Sequence, residues 1–370
     1  MFDLGMKMSS LDKNIEELEA RGALTMQLLL LVIMGMFLSL HIALSFAWGG
    51  LISILSGERW ISVSLLYLQS WEFSRFSVGV PFVVFSSAFI LIYVASRNAR
   101  PYDIGEQVYR IIERDFAHGK DFQLEEALPS HWISTSMNQL AKKAKIKIPR
   151  LFCCSLPIYN AFAISGRNGD NAIVLFAPML APPLIQLKDA VIAHELGHII
   201  NKDSKRTHFV LCAINAFGLL FKAGQNFYQV KTRECIIDRK TNEPFFISIL
   251  NAILFFVLGL LMMVVGWIPW SWAQGILWWR RYTAEYLADA VGGKLLDDHK
   301  MMSDMLIVLH VMFHGTSEDG KVLSVRDDGV TFKVDEHPAD IGRVRRLLPD
   351  FKGDWEAAAR DVMRRRRISC

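Results

Sequence analysis

The sequence predicts a mainly α-helical protein with a small β-sheet, in which four helices cross a membrane. The first observation is composition: of 370 residues, 52% are hydrophobic and 21% are charged, whereas soluble domains have about 45–50% apolar and about 25% charged residues. The second is that the excess apolar residues lie in a few long segments. The third is a set of short apolar runs between residues 150 and 176, separated by polar turns, which are typical of strands.

Four segments are apolar enough to cross a membrane, where a helix needs about 20 residues: residues 24–55, 76–96, 207–221 and 245–267. The first contains no Asp, Glu, Lys or Arg. Residues 1–23 before it are too long and too acidic for the start of a cleavable signal, so we expect an anchor. The third is short and needs the helix before it to complete a span. Basic residues are almost equally dense on the two sides of the spans, so they do not decide the orientation.

The segments between the spans are predicted to contain both helices and strands. Residues 101–143 have apolar residues at three- and four-residue spacing, which predicts helices. Strands are expected at residues 151–155, 160–164 and 172–176, the last two as a hairpin. A second hairpin is expected at residues 321–334, where an Asp-Gly pair favours a tight turn. This second hairpin is either a flap over a cleft or a simple connector.

Net charge and cysteine content exclude several classes of protein. A formal net charge of +4 is too small for a dedicated nucleic-acid binder of this length, so no nucleic-acid partner is expected. The five cysteines show no CxxC pair, which fits reduced thiols better than a disulfide framework. The sequence also has no phosphate-binding loop, dinucleotide glycine fingerprint or GxSxG motif.

A metal-binding pattern occurs at His194-Glu195-Leu196-Gly197-His198. On a helix, the four-residue spacing places both imidazoles on one face, where they can bind one Zn²⁺. The carboxylate of Glu195 then lies beside the position of a zinc-bound water and suits a general base. The five-residue pattern alone also occurs by chance on surface helices. Here the surrounding helix is apolar, and a buried glutamate between two histidines needs the partner that a metal supplies.

A third zinc ligand is expected, because catalytic zinc normally has three protein ligands and an open position for water. The candidate is Glu285 in the helical stretch RRYTAEYLADAVGG, with Asp289 one turn later on the same face. The carboxylate of Asp289 can accept a hydrogen bond from the far nitrogen of a zinc-bound histidine and fix its orientation. Alone, these two acidic residues would indicate a solvated helix face, but together with the two histidines they favour a metal site.

These residues lie in segments that resemble the HtpX-like integral-membrane zinc metalloproteases, a family related to the type I CAAX prenyl proteases. The resemblance extends over about residues 140–345 and includes two predicted spans before the HExxH helix and two between it and the third ligand. The matching segments are KIPRLFCCSLPIYNAFAISG, HELGHIINKD, EYLAD and HPADIGR. The resemblance implies a zincin-type α/β catalytic domain outside the membrane.

The resemblance also implies roles for individual residues around one Zn²⁺ per chain. Its ligands are His194, His198 and Glu285, its catalytic base is Glu195, and Asp289 supports a zinc-bound histidine.

Three further residues are assigned in the same way. Asn160 lies on an edge strand that pairs with an extended substrate, and His337 and Arg343 stabilise the developing oxyanion. This chain departs from the family in two respects. The late motif has His-Pro-Ala instead of the more frequent His-Pro-Pro. The family often has an arginine three residues before the glutamate ligand, whereas Arg280 and Arg281 here lie five and four residues before it.

The function implied by the resemblance is hydrolysis of peptide bonds in misfolded or damaged membrane proteins. The chain would be a multi-pass protein of the bacterial inner membrane type, in contact with the lipid bilayer and with its catalytic domain facing the cytoplasm. A protease for prenylated CAAX peptides and a non-catalytic scaffold stabilised by zinc are the alternatives. The predicted organisation begins with a polar segment at residues 1–23, two spans at 24–96 and a first catalytic part at 97–206. It continues with two spans and their loop at 207–273, a second catalytic part at 274–345 and a basic tail at 346–370.

Other conspicuous residues have structural explanations. His310 and His314 share a helix face without a nearby glutamate, so helix packing is expected rather than a second metal site. His41, within the first span, is expected to bind a neighbouring helix rather than to act in catalysis. The basic clusters at residues 141–147 and Arg364–Arg367 are either solvated helix ends or contacts to anionic lipid headgroups.

Overall fold

The computed structural model describes residues 80–166, 169–231, 245–314 and 341–366, with isolated positions between 27 and 68. The described residues are mainly helical and contain one four-stranded sheet. The helices are α1 (Val80–Asn98), α2 (Ile104–Ile112), α3 (Trp132–Lys143), α4 (Lys188–Ile200), α5 (Asp203–Asn226), α6 (Phe245–Leu296), α7 (His299–His314), α8 (Ile341–Leu347) and α9 (Trp355–Arg366), and the strands are β1 (Leu124–Glu126), β2 (Arg150–Cys154), β3 (Ala161–Ser165) and β4 (Asn171–Phe176).

The chain divides into two compact units, which are described separately. Of the described residues, those within 99–206 and 280–366 form the first unit, and those within 27–98 and 207–279 form the second. The first unit therefore includes the whole sheet and α4, whose sequence carries the HExxH pattern.

The sheet has the strand order β1-β2-β4-β3. The predicted hairpin is confirmed, because β3 and β4 pair in antiparallel fashion, while β2 and β4 are parallel. The prediction that residues 101–143 are helical throughout is wrong for Leu124–Glu126, which pair with β2. Three residues, two of them glutamates, are too few to show alternation, so long-range pairing decides their conformation.

Strand β4 is apolar because both faces of the sheet are covered. Val174 and Phe176 pack with α2 on one face, while Ile173 and Leu175 pack towards α3 and α4 on the other. Burial on both faces gives a continuous apolar run instead of polar alternation. The sheet thereby supports α4 from one side.

The other side of α4 is covered by helices from the C-terminal part of the chain. Helix α7 contacts both α4 and α9, and Ala359 and Val362 of α9 belong to the same core as α4. Arg365 and Arg366 of α9 form ion pairs at 3.1 and 2.8 Å with Asp304 of α7, a side chain only 1% exposed. These two arginines of the predicted basic tail therefore balance the charge of a buried carboxylate in the same chain.

Two helices among the described residues are long and apolar enough to cross a membrane, Asp203–Gln229 and Asn251–Leu296. The third predicted span lies inside α5, which supplies the missing length. The fourth does not end at residue 267, because α6 continues through Pro269 as one helix of 52 residues. The second predicted span corresponds to α1, and most of the first lies outside the described residues, so the total of four spans stays a prediction.

Close backbone contacts join α5 and α6 in the second unit. A Cβ atom added to Gly224 would lie 2.7 Å from the carbonyl oxygen of Gly259, so only glycine permits this approach. Small residues of this kind are typical where membrane helices cross. Polar contacts occur elsewhere in the second unit: the ring of His208 on α5 hydrogen-bonds the hydroxyl of Ser96 on α1 at 3.2 Å, and His41 Nε2 donates to the carbonyl of Leu68 at 3.2 Å.

Candidate metal centre

The helix α4 brings its two histidines together inside the first unit. His194 is 4% exposed and His198 is half-buried, and their Nε2 atoms are 3.2 Å apart. Two nitrogens bound to one zinc at about 2.0–2.1 Å in tetrahedral geometry would be about 3.3–3.4 Å apart. The spacing of the two imidazoles therefore fits a shared zinc ion.

Glu285 of α6 completes a group of three metal-binding side chains. Its carboxylate oxygens lie 3.3 Å from Nε2 of His194 and 3.5 Å from Nε2 of His198. One ligand atom from each of the three residues lies within 4.8 Å of the others, and no other such group occurs in the part of the chain that the structure describes. Two histidines and a carboxylate form a donor set known from catalytic zinc sites.

Small residues allow α4 and α6 to approach closely enough for this arrangement. A Cβ atom added to Gly197 would lie 2.8 Å from the Cα and carbonyl oxygen of Ala288. One turn earlier on α4, the backbone of Ala193 is also close to α6, because a Cβ atom added to Gly292 would lie 3.2 Å from its carbonyl group. The glycine within the HELGH sequence is therefore needed to bring Glu285 to the histidines.

The Gly197→Ala substitution is expected to lower zinc affinity and to destabilise the fold by about 1–3 kcal/mol, as overpacking does. The added methyl group meets backbone atoms, so it can be accommodated only if α6 moves away and carries Glu285 with it. Zinc content and thermal unfolding measure the two effects. Gly275→Ala is the matched control, because a Cβ there meets no atom within 4 Å and should leave both quantities unchanged or slightly raise stability. Equal zinc content in the two variants would contradict the packing argument.

Asp289 and Arg343 lie directly behind the ligands. Nδ1 of His194 is 2.9 Å from the carboxylate of Asp289. Arg343 of α8, 1% exposed, donates through Nε and Nη2 to both oxygens of Asp289 at 2.7 Å and also contacts Glu285 at 3.0 Å. Arg343 was predicted to stabilise an oxyanion, and the structure places its guanidinium against these two carboxylates.

The electrostatics of the site favour a cation. Burial lowers the pKa of His194, but its contacts with Asp289 and Glu285 outweigh burial and raise the pKa to about 10. In the absence of metal, a proton on His194 therefore partly balances the two carboxylates. A metal ion would supply the positive charge that the site attracts.

Glu195 is the residue whose environment most directly indicates an open reaction site. Its side chain is 1% exposed, and no hydrogen-bond donor among the described residues reaches its Oε2 atom. A buried carboxylate oxygen without a donor is costly in a structural position. It is explained if a bound water or substrate group is its partner.

Sequence reasoning missed a second carboxylate beside the ligands. Nδ1 of His198 is hydrogen-bonded to Asp203 at 2.9 Å, and Arg280 of α6 lies 3.4 Å from the same carboxylate. Asp203 is the last residue of HELGHIINKD and the first of α5. The turn at Lys202, with φ of +57°, interrupts the helical periodicity, so spacing along the helix could not reveal this contact.

A comparison with protein families decides the classification. The family model described as peptidase family M48 matches residues 127–349, which is more than half of the chain. The chain belongs to this family.

The relatives of this M48 chain include several proteins named as proteases. Protease HtpX of Photorhabdus laumondii is 26% identical over 178 residues, which is 47% of this chain and 56% of the relative. Protease HtpX of Aeromonas hydrophila is 26% identical over 178 residues, covering 47% and 57%. Protease HtpX homolog 1 of Saccharolobus solfataricus is 29% identical over 116 residues, covering 31% and 33%. The chain thus spans between a third and just over half the length of these relatives, and no solved structure matches it significantly.

The remaining predicted site residues of this M48 chain are placed as follows. Asn160 directly precedes β3, and its carbonyl accepts a hydrogen bond from Phe176 of β4, so it extends the pairing of the two strands. Strand β3 is at an end of the sheet and contacts α4. His337 and the predicted hairpin at residues 321–334 lie outside the described residues. His310 stacks on Trp355 of α9 at 3.7 Å between ring centroids, a packing role.

Proposed function

We propose that this chain is a zinc-dependent endopeptidase bound to the membrane. The observation that carries the proposal is the convergence of His194, His198 and Glu285 with a buried glutamate, Glu195, whose Oε2 atom has no described donor. Ligand spacings of 3.2 to 3.5 Å fit tetrahedral zinc. Membership of peptidase family M48 and similarity to proteins named Protease HtpX support the same chemistry.

Different residues of the chain have separate proposed roles in peptide hydrolysis. A peptide would add to the edge of β3 that has no partner strand among the described residues, beginning at Asn160, through main-chain hydrogen bonds. Glu195 would take the proton of the attacking water and deliver it to the leaving amine. When bound, zinc supplies Lewis-acid polarisation and lowers the pKa of water. His337 is proposed to donate a hydrogen bond to the developing oxyanion, and Arg343 holds the carboxylates of Glu285 and Asp289.

The proposed substrates are misfolded or damaged membrane proteins, cleaved on the cytoplasmic side of a bacterial inner membrane. Two helices with the length and composition of membrane spans support a membrane location. Similarity to proteins named Protease HtpX supports a protein rather than a small molecule as substrate. The unpartnered edge of β3 among the described residues suits any extended chain, because β-addition uses main-chain groups.

Two alternatives from the sequence give different experimental outcomes. A CAAX-type protease would cleave a prenylated peptide and leave unfolded proteins intact. A scaffold stabilised by zinc would bind the metal without cleaving anything. The buried carboxylate of Glu195 argues against the scaffold, since a structural zinc closes its fourth position with a protein ligand and needs no adjacent base.

Removal of the metal is expected to abolish proteolysis reversibly. The detergent-solubilised chain should cleave an unfolded protein such as reduced casein, lose this activity after dialysis against a chelator, and regain it on addition of about one equivalent of Zn²⁺. Fluorescence of released peptides measures the rate, and metal analysis measures the stoichiometry. A farnesylated peptide assayed in parallel distinguishes the CAAX alternative. Cleavage that persists at zero metal content would refute the proposal.

A further inference from the structure

His198 is held by a chain of polar contacts that leads away from the metal site. Its Nδ1 atom is hydrogen-bonded to Oδ2 of Asp203 at 2.9 Å. The other oxygen of Asp203 is 3.4 Å from Nη2 of Arg280, which also donates to the backbone carbonyl of Asp203 at 3.3 Å. Arg280 is 6% exposed, and it lies on α6, five residues before Glu285.

This chain of contacts repeats the arrangement behind the other histidine. His194 contacts Asp289, and Asp289 is held by Arg343 through two short hydrogen bonds. Each imidazole therefore has an aspartate behind its Nδ1 atom, and each aspartate has a buried arginine behind it. The two assemblies share no residue. The first consists of His194, Asp289 and Arg343, and the second consists of His198, Asp203 and Arg280.

The burial of Arg280 makes the second assembly more than a surface ion pair. A buried guanidinium is stable only where its charge is compensated. Among the described residues Nη1 of Arg280 has no acceptor, whereas Nη2 donates to the backbone and side-chain oxygens of Asp203. Arg280 thereby fixes both the side chain and the backbone of Asp203.

We propose that Asp203, held by Arg280, is a positioning residue of the metal centre. By accepting a hydrogen bond from Nδ1–H of His198, it fixes the ring so that Nε2 is unprotonated and directed at the metal, as carboxylates behind metal-bound histidines do. The inference rests on the proposed binding of zinc at His194, His198 and Glu285. It adds two residues that act through His198 without touching the metal.

The main test compares zinc dissociation constants of full-length variants in detergent, measured by competition with a chromophoric chelator. Asp203→Ala is expected to weaken zinc binding about 10–100-fold, the range found for partners of metal-bound histidines. Asp203→Asn should lose less zinc affinity, since its amide oxygen still accepts a hydrogen bond from Nδ1–H of His198. Arg280→Met should weaken binding at the lower end of this range, because Asp203 remains but is no longer held.

Two control variants separate positioning from general damage. Asp189→Ala removes an aspartate from the first turn of the same helix, where it contacts Lys188 at 3.3 Å. Arg281→Met removes the exposed neighbour of Arg280. Both should bind zinc like the wild type. Thermal unfolding of the metal-free proteins reports on folding independently of the metal.

A double variant covers the case in which Asp203→Ala leaves Arg280 buried without its partner and fails to fold. Asp203→Ala combined with Arg280→Met removes both charges, and its zinc affinity should equal that of a folded Asp203→Ala variant, because coupled residues are not additive. In Co²⁺-loaded proteins the visible ligand-field bands should shift in the Asp203 variants and not in the controls.

The outcomes distinguish this inference from the proposed function. If the wild type binds no zinc, the proposed function fails. If the wild type binds zinc and the Asp203 and Arg280 variants bind it equally tightly with unchanged Co²⁺ spectra, the positioning role is wrong while the proposed function stands. Weaker binding that is confined to these variants, with metal-free melting unchanged, supports the role.

Discussion

Glu195→Gln is expected to abolish peptide hydrolysis while zinc content stays near one per chain. The substitution keeps the shape of the side chain but removes its ability to accept a proton. General-base catalysis contributes about 10²–10⁴-fold to the rate, so kcat should fall by at least this factor. Glu195 lies between the two histidines in sequence but is not one of the three grouped ligands. Turnover of an unfolded protein and metal analysis of the same sample measure the two quantities.

The control for Glu195→Gln is the substitution of an exposed acidic residue of the same unit outside the site. Glu125→Gln, on the exposed part of β1, should retain both zinc and activity. Parallel loss of zinc and activity in Glu195→Gln would show that this residue binds the metal, and the assignment of a base would be wrong. Full activity in Glu195→Gln would show that another residue is the catalytic base.

Glu285→Ala is expected to lose zinc altogether at micromolar metal, and with it all proteolysis. The remaining two imidazoles cannot hold zinc as a set of three ligands does. The substitution also removes a carboxylate that Arg343 contacts at 3.0 Å, which leaves more positive charge beside the site. Metal analysis after gel filtration and chelator competition measure the loss.

Asp289→Ala is the informative comparison for Glu285→Ala. Asp289 stands behind His194 instead of beside the metal position, so its loss should weaken zinc binding about 10–100-fold and excess zinc should restore occupancy. Zinc at full stoichiometry in Glu285→Ala, together with normal activity, would place the third ligand at another residue.

The parts of the site that sequence could predict are those set by local periodicity. His194 and His198 lie one turn apart on a single helix, so their spacing alone brings them together. The four-residue spacing of Glu285 and Asp289 places those two side chains on one helix face in the same way. Asp203 could not be found by this route, because its approach to His198 depends on the left-handed turn at Lys202. Sequence resemblance indicated that Arg343 belongs to the site, but only three-dimensional contacts show which groups it binds.

Outside the site, too, the elements with a local sequence pattern could be predicted, and those that depend on distant contacts could not. Strands β2, β3 and β4 were recognisable because burial on both faces makes them apolar over several residues. The three residues of β1 carry no such pattern, and their conformation depends on pairing with β2. The length of α6 was also not predictable, since the apolar pattern of the fourth predicted span ends at residue 267, whereas the helix continues through Pro269 to Leu296.

The ion pairs between α9 and α7 limit how far the folded part of the chain can be shortened. Similarity to the family ends at residue 349, yet Arg365 and Arg366 are counter-ions of the buried Asp304. A chain cut at residue 349 would leave this carboxylate in the interior without its cations and expose the apolar surface that Ala359 and Val362 cover. Unpaired buried charges are strongly destabilising. The boundary of evolutionary similarity is therefore not the physical boundary of the domain, which extends through Arg366.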